Sequence, residues 1–154
     1  WRGAKTATEQ EMRNAGFLRT RIEFIDSCFA PGEVDEIWIT FPDPQLRKGR
    51  VKKRLTAPEF LTRYARFLRP GGPIHLKSLH DYTRTVAEGN ALPIEACNTD
   101  IYGTGFADDL LSIKTTYEKR FLAQGVPITY IRFSLDGHTE FAPVEFAPDE
   151  LLQR

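Results

Sequence analysis

A carboxylate held between two prolines is the most distinctive chemical group in this sequence. The motif Phe41-Pro42-Asp43-Pro44 directly follows an apolar run, so Asp43 comes where a buried strand would end. The prolines restrict φ on both sides of Asp43 and favour extended geometry at Phe41 and Asp43, the residues before them. Such a loop holds a carboxylate in one direction. A rigid turn whose aspartate only caps a neighbour would have the same sequence.

A block of positive charge follows this loop. The chain is neutral overall, with 21 basic and 21 acidic residues, but residues 47–69 hold nine basic side chains and one acidic side chain. Clustered lysines and arginines suit phosphate contacts, although a solvated charged face has the same composition. A fixed carboxylate beside such a block indicates chemistry on a nucleic acid. The cations nearest the loop are Arg47, Lys48, Arg50, Lys52, Lys53 and Arg54.

The second candidate motif is Thr115-Thr116-Tyr117-Glu118. A threonine followed three residues later by a glutamate is the pattern of a capping box at the start of a helix. A carboxylate in this position could instead accept hydrogen bonds from two adjacent donors, such as N1 and N2 of a guanine. The sequence leaves both interpretations open.

Alternating strands and helices must position these groups. The run 34–41 is nearly continuous in apolar residues, which is typical of a strand buried on both faces, and residues 56–59 have the pattern of a second capping box. The order of elements predicts an α/β domain with a mostly parallel sheet, whose ligands lie at the carboxyl ends of its strands. We predict helices over 4–15, 24–30, 56–68, 79–88 and 116–124, and strands over 17–20, 34–41, 74–77, 94–99 and 128–135.

Composition narrows the class of protein. A chain of 154 residues, 41% hydrophobic and 27% charged, fits one soluble domain, and it lacks both a run of about 20 apolar residues and a signal peptide. We therefore expect a cytoplasmic protein without a membrane span. Cys28 and Cys97 match no metal or disulfide pattern, so we expect buried thiols. The histidines also lack partners at metal-ligand spacing, and we expect no metal site; they are His75, His80 and His138.

Taken together, these motifs resemble bacterial tRNA (guanine-N7)-methyltransferases. The likeness runs in order over residues 1–135, and we predict that residues 136–154 form a tail of uncertain order. It implies a class I, Rossmann-like sheet that is incomplete in its N-terminal half, since no glycine-rich cofactor turn precedes Trp1. The features that carry it are F-P-D-P, the run ending in Lys52-Lys53-Arg54-Leu55, the turn Leu68-Arg69-Pro70-Gly71-Gly72, and T-x-Y-E before Gly125.

The resemblance implies transfer of a methyl group from S-adenosylmethionine to N7 of guanine 46 in tRNA. Asp43 would be the catalytic carboxylate and would also contact the cofactor, Arg47 would contact the substrate, and residues 115–118 would hold the guanine. The tRNA backbone would be contacted by Lys48, Arg50, Lys52, Lys53 and Arg54.

The resemblance also implies that the other cofactor residues would lie upstream of Trp1. We therefore expect the parent protein to be the enzyme and the 154-residue chain alone to be inactive. A non-catalytic RNA-binding remnant is the alternative. A small-molecule α/β enzyme with a phosphorylated substrate is disfavoured by the T-x-Y-E segment and by the absence of a phosphate-cradling glycine loop.

Overall fold

The computed structural model describes residues 2–45 and 48–146, and for Lys48 the backbone alone. A mixed α/β arrangement is observed, as the sequence predicts. The α-helices are α1 (Arg2–Glu9), α2 (Pro58–Tyr64), α3 (Tyr82–Gly89) and α4 (Thr116–Leu122), and short 3-10 helices cover Ile22–Ser27 and Lys48–Lys53. The strands are β1 (Ile37–Thr40), β2 (Pro73–Ser78), β3 (Ile94–Asn98) and β4 (Thr129–Ser134).

The four strands form one sheet in the order β1-β2-β4-β3. β1 and β2 are parallel, whereas β4 is antiparallel to both β2 and β3. Three strands therefore share one direction, but the prediction of a mostly parallel sheet is wrong for the described strands. Two of the three pairings are antiparallel because β4 inserts between β2 and β3. β3 ends and the antiparallel β4 begins at the same edge of the sheet, so the connection 99–128 lies at that edge. This connection carries α4 and brings it to the carboxyl ends of β1 and β2.

Alternation along the strands gives the sheet two different faces. One face carries the larger apolar core and packs against α2 and α3; its buried strand residues are Ile39, Ile74, Leu76, Ile131 and Phe133. The other face carries Trp38, His75, Lys77 and Tyr130, and the connection 99–128 covers part of it. The prediction that β1 is buried on both faces is wrong. Only Ile39 is fully buried in this strand, because β1 lies at an edge of the described sheet.

Several predicted elements are shorter or absent. No strand forms over 17–20, where Phe17 and Leu18 remain largely exposed. The first helix ends at Glu9 rather than continuing to residue 15, and Glu11 takes a left-handed backbone with φ 52°. The prediction of buried thiols is wrong for Cys28, which is exposed, while Cys97 is half-buried.

The predicted capping box over 56–59 is also wrong. Helix α2 begins after Ala57, whose side chain cannot cap it. The Thr56 hydroxyl lies 2.8 Å from the Thr83 hydroxyl on α3. This threonine therefore joins two helices in the core instead of capping one.

The segment 136–146 has no helix or strand but packs against α3. The Asn90 side chain accepts a hydrogen bond from the Ala142 amide at 2.7 Å and donates one to the Ala142 carbonyl at 3.2 Å. Val144 lies so close to Gly89 that a β-carbon there would meet its side chain. This part of the predicted tail is thus attached to the domain, whereas residues 147–154 lie outside the described residues.

Candidate functional site

The F-P-D-P loop leaves the end of β1 through a strained backbone. The Phe41 amide donates a hydrogen bond to the Lys77 carbonyl at 2.8 Å, which keeps Phe41 beside β2 while the chain turns away at Pro42. Phe41 has φ 49°, so the extended geometry expected before proline is wrong at this position. A bulky side chain in the left-handed region is uncommon, and such strain is concentrated at functional sites.

The Asp43 carboxylate is exposed at the carboxyl edge of the sheet. Its Oδ1 accepts a hydrogen bond from the Gln45 amide at 2.9 Å, and Gln45 has φ 47°. This local bond fixes the carboxylate relative to its own loop and leaves it accessible to solvent. The carboxylate is therefore accessible, and its role in contacting a ligand stays a prediction.

Glu118 has the opposite environment. Its side chain is fully buried, and its Oε1 lies 2.6 Å from Nζ of Lys77, which is 4% exposed. The Tyr102 hydroxyl also donates to Oε1 at 2.5 Å, while the Thr115 amide donates to Oε2 at 3.2 Å. Burial raises the pKa of Tyr102, and the hydrogen bond to Glu118 raises it further.

The capping box at Thr115 and Glu118 is confirmed. The Thr115 hydroxyl accepts a hydrogen bond from the Glu118 amide at 3.1 Å, and the Glu118 carboxylate accepts one from the Thr115 amide at 3.2 Å. The Glu118 carboxylate is already bonded to Lys77, Tyr102 and Thr115, so a guanine edge would have to displace these groups. The geometry favours the capping interpretation for Glu118 over direct contact with a base.

Tyr117 of the second motif contacts the F-P-D-P motif. Its ring is half exposed and lies 5.4 Å, between centroids, from the Phe41 ring. The two candidate motifs, more than seventy residues apart in the sequence, therefore meet at the carboxyl ends of β1 and β2. Thr115 and Thr116 are exposed beside this contact.

Lys77 joins the two motifs and was not among the predicted site residues. Its backbone carbonyl holds Phe41, and its side chain holds Glu118 and the Leu111 carbonyl, the latter at 2.6 Å. A lysine within the apolar strand 74–77 is the signal that could have revealed it, because a buried ammonium group requires a buried partner.

The basic segment divides into buried and exposed cations. The prediction that Arg54 contacts the tRNA backbone is wrong for the described structure, because Arg54 is 1% exposed and its Nε donates to the Pro44 carbonyl at 2.8 Å. Arg50, Lys52 and Lys53 are exposed. Two further predicted contacts, Arg47 and the side chain of Lys48, lie outside the described residues.

The later cations of the basic block are paired with acidic residues. Arg63 and Arg66 both contact the Asp26 carboxylate, while Arg69 contacts Asp35 at 3.2 Å. Burial raises the pKa of Asp26, but the hydrogen bond and charge of Arg66, with Arg63, lower it by more. Within residues 47–69, the described cations that are exposed beside the F-P-D-P loop are therefore Arg50, Lys52 and Lys53 of the 3-10 helix.

Comparison with known proteins gives the family. The sequence profile of a family described as "Putative methyltransferase" matches residues 3–131. The chain belongs to this methyltransferase family. Two relatives named tRNA (guanine-N(7)-)-methyltransferase match it at 48% identity over 139 residues, from Bacteroides thetaiotaomicron, and at 45% over 157 residues, from Porphyromonas gingivalis. The family resemblance drawn from the motifs is thus confirmed.

The matches cover unequal shares of the proteins compared. They include 88% and 97% of this chain, but the chain spans only 54% and 64% of the two relatives. A solved structure of geranyl diphosphate C-methyltransferase from Streptomyces coelicolor A3(2) aligns over 86% of this chain and 58% of that chain, with 16% identity and a TM-score of 0.47.

The described part of this methyltransferase chain fits only one side of a cofactor site. A methyl donor of the sulfonium type is cationic, and the exposed Asp43 carboxylate suits such a charge. Residues 41–45 and 79–81, which directly follow β1 and β2, contain no glycine that could let the backbone approach the polar ends of a cofactor. Within these residues no three His, Cys, Asp or Glu side chains lie close enough to hold a metal ion.

No helix in the described ranges is long and apolar enough to cross a membrane.

Proposed function

We propose that this methyltransferase acts in the cytoplasm and transfers a methyl group from S-adenosylmethionine to N7 of guanine 46 in tRNA. The observation that carries the proposal is the meeting of the Asp43 loop and Tyr117 at one edge of the sheet, beside the exposed cations of the 3-10 helix. The names of the relatives, tRNA (guanine-N(7)-)-methyltransferase, support the same substrate and atom.

The chemistry of guanine N7 matches what these residues offer. N7 carries a free lone pair and no proton, so its attack on a methyl group requires no strong general base, and S-adenosylmethionine supplies the electrophilic methyl when bound. The methylated ring is cationic. A fixed carboxylate beside the ring would stabilise the developing positive charge, and Asp43 is exposed and held by its own loop.

The guanine would be held by the exposed part of the second motif. The half-exposed Tyr117 ring offers an aromatic face, and the exposed hydroxyls of Thr115 and Thr116 offer hydrogen bonds. Glu118 would act indirectly: paired with Lys77, it fixes the start of α4 and thereby the position of Tyr117.

Phosphate contacts would position the tRNA without reading its sequence. Arg50, Lys52 and Lys53 are exposed next to the F-P-D-P loop, and we extend the proposal to Arg47 and Lys48. Because guanine 46 belongs to a folded RNA, recognition would depend on RNA shape more than on base sequence.

A non-catalytic RNA-binding role is the second candidate for the 154 residues alone. It is favoured by one observation: residues 41–45 and 79–81, which directly follow β1 and β2, contain no glycine that could form a cofactor-binding turn. Calorimetric titration of the 154-residue chain with S-adenosylmethionine tests it. No saturable heat is expected, and binding in the micromolar range would show that the chain contains a cofactor site.

The enzymatic proposal is tested with the protein expressed from its complete coding sequence. Incubation with S-adenosylmethionine and unmodified tRNA should produce 7-methylguanosine, detected as strand scission at position 46 after reduction and aniline treatment. A tRNA with adenine at position 46 is the control and should not be cleaved there. Absence of scission in the unmodified tRNA would overturn the proposal.

A further inference from the structure

Arg54 belongs to the basic run in sequence but not to the basic surface. Its side chain is 1% exposed, whereas its neighbours Lys52 and Lys53 are exposed. A cation at this depth cannot reach an RNA phosphate, so it must serve a contact inside the protein. One such contact is the hydrogen bond from Nε to the Pro44 carbonyl at 2.8 Å.

Two aromatic rings hold the guanidinium group in place. Its central carbon lies 4.1 Å from the Tyr82 ring centroid and 4.7 Å from the Phe146 ring centroid. Tyr82 is buried on α3, and Phe146 comes from the segment attached to α3 through Asn90. A planar guanidinium between two rings gains cation–π attraction and loses orientational freedom, which fixes the direction of the Nε donor.

The F-P-D-P loop has few groups by which it can be held. Its two prolines have no backbone N–H, so the loop is fixed through carbonyls and through the amides that remain. Phe41 is fixed at the start by the Lys77 carbonyl, and Pro44 is fixed after the aspartate by Arg54. The hydrogen bond observed at the Asp43 carboxylate comes from Gln45, inside the same loop. The direction of this carboxylate therefore depends on the position of the loop backbone.

We propose that Arg54 is a positioning residue for Asp43, with Phe146 and Tyr82 as the walls that orient it. This inference rests on the proposed function for its catalytic consequence. Loss of the Nε donor of Arg54 frees the Pro44 carbonyl, and the Asp43 carboxylate then samples several directions. Misplacement of a reacting or stabilising group by about 1 Å can cost on the order of 100-fold in rate.

The first test is Arg54→Met in the protein expressed from its complete coding sequence. Methionine retains an apolar stem between the rings but has no N–H donor. We expect the kcat for tRNA methylation to fall by roughly 10- to 100-fold, while the dependence of tRNA affinity on salt concentration keeps its slope. A slope lowered by about one unit would show that Arg54 contacts a phosphate and would overturn the proposal.

A second readout does not depend on activity. The exchange of the Gln45 amide proton with solvent, followed by NMR, reports the hydrogen bond to Asp43, and we expect it to accelerate at least about tenfold in Arg54→Met. Phe146→Leu should change the same exchange rate in the same direction by a smaller factor. An unchanged Gln45 exchange rate in Arg54→Met would overturn the positioning role.

Matched variants separate positioning from loss of stability. Leu135→Ala removes buried apolar volume at the end of β4 that lies away from the F-P-D-P loop, so it should lower the melting temperature. Well below that temperature, it should neither accelerate Gln45 exchange nor lower kcat. Lys53→Met, beside Arg54 but exposed, should lower the salt slope. If Leu135→Ala accelerated Gln45 exchange as Arg54→Met does, the effect would be global and the proposal would fail.

Failure of the two proposals would look different. If the wild-type protein forms no 7-methylguanosine while Arg54→Met still accelerates Gln45 exchange, the proposed function is wrong and Arg54 nevertheless positions the loop. If the wild-type protein is active and Arg54→Met retains its full kcat, Asp43 needs no such support and the inference is wrong.

Discussion

Two carboxylates that the motifs assign to one substrate have opposite environments. Asp43 is exposed on a strained loop, and its hydrogen bond comes from the neighbouring Gln45. Glu118 is fully buried and bonded to Lys77, Tyr102 and Thr115. The first is available to a ligand, and the second is committed to the fold. Two acidic residues that lie in neighbouring motifs can therefore differ in what they are free to do: one is open to solvent, and the other stabilises the fold.

The largest expected effect is on stability, at Glu118. Glu118→Leu leaves the buried Lys77 ammonium without its partner, and we expect the free energy of unfolding to fall by about 3–5 kcal/mol. Urea denaturation measures this change. The double variant Lys77→Met/Glu118→Leu replaces the ion pair with apolar groups and should recover much of the loss. A loss below about 1 kcal/mol in the single variant would show that the pair is not buried, and the contrast with Asp43 would disappear.

At Asp43 the expected effect is on catalysis instead. Asp43→Asn keeps the shape of the side chain and the acceptor for Gln45 but removes the negative charge, and we expect kcat to fall by about 100- to 1,000-fold. Because the residue is exposed, the free energy of unfolding should change by less than about 0.5 kcal/mol. Asp35→Asn, an exposed carboxylate away from the loop, is the control. Equal losses in kcat and tRNA affinity would show that Asp43 has a structural role and not a catalytic one.

Tyr102 gives a pH-dependent test of the buried carboxylate. Tyr102→Phe removes a hydrogen bond to a charged group and should cost about 2 kcal/mol near pH 7. The folded-state pKa of Tyr102 is raised above its ordinary value of 10.0, so this contribution is complete below pH 10 and is lost as the pH rises through the folded-state pKa. The difference in unfolding free energy between wild type and variant should shrink above pH 10. A constant difference would place the Tyr102 hydroxyl away from Glu118.

The smallest expected effect concerns the cations beside Asp43. Replacing Arg50, Lys52 and Lys53 with glutamine should weaken tRNA binding and flatten its dependence on the logarithm of salt concentration by about one unit per lost phosphate contact. The same replacement at Arg63, Arg66 and Arg69, which are paired with acidic residues, should leave the slope unchanged. Binding isotherms at several salt concentrations distinguish the two sets, and an unchanged slope in the first set would assign those cations to solubility.

The sequence was informative where a local pattern determines the structure. Apolar runs located all four strands of the described sheet, with ends shifted by a few residues. The capping box at Thr115 and Glu118 was identified as one of two interpretations because it depends on residues three positions apart. The position of Asp43 after β1 followed from the same kind of local reasoning.

Contacts between distant residues set the features that the sequence did not reveal. Phe41 adopts a left-handed backbone against the preference of a residue before proline, because the Lys77 carbonyl holds its amide. Glu118 is buried because Lys77 and Tyr102 reach it from other elements. Arg54 looks like its exposed neighbours in sequence and differs in its surroundings, which include two aromatic rings and the Pro44 carbonyl. Composition gives the number of charged side chains but does not show which of them are buried.

The order of strands in the sheet also has a consequence for synthesis on the ribosome. β3 hydrogen-bonds to β4, and β4 also supplies the second partner of β2, yet β4 is the last strand of the sheet to be translated. Until β4 has emerged, β2 and β3 both lack the strand that lies between them in the folded sheet. Long-range pairing of this kind delays folding and leaves strand edges open to other chains. The exit of one six-residue strand from the ribosome therefore allows the four described strands to join in one late step.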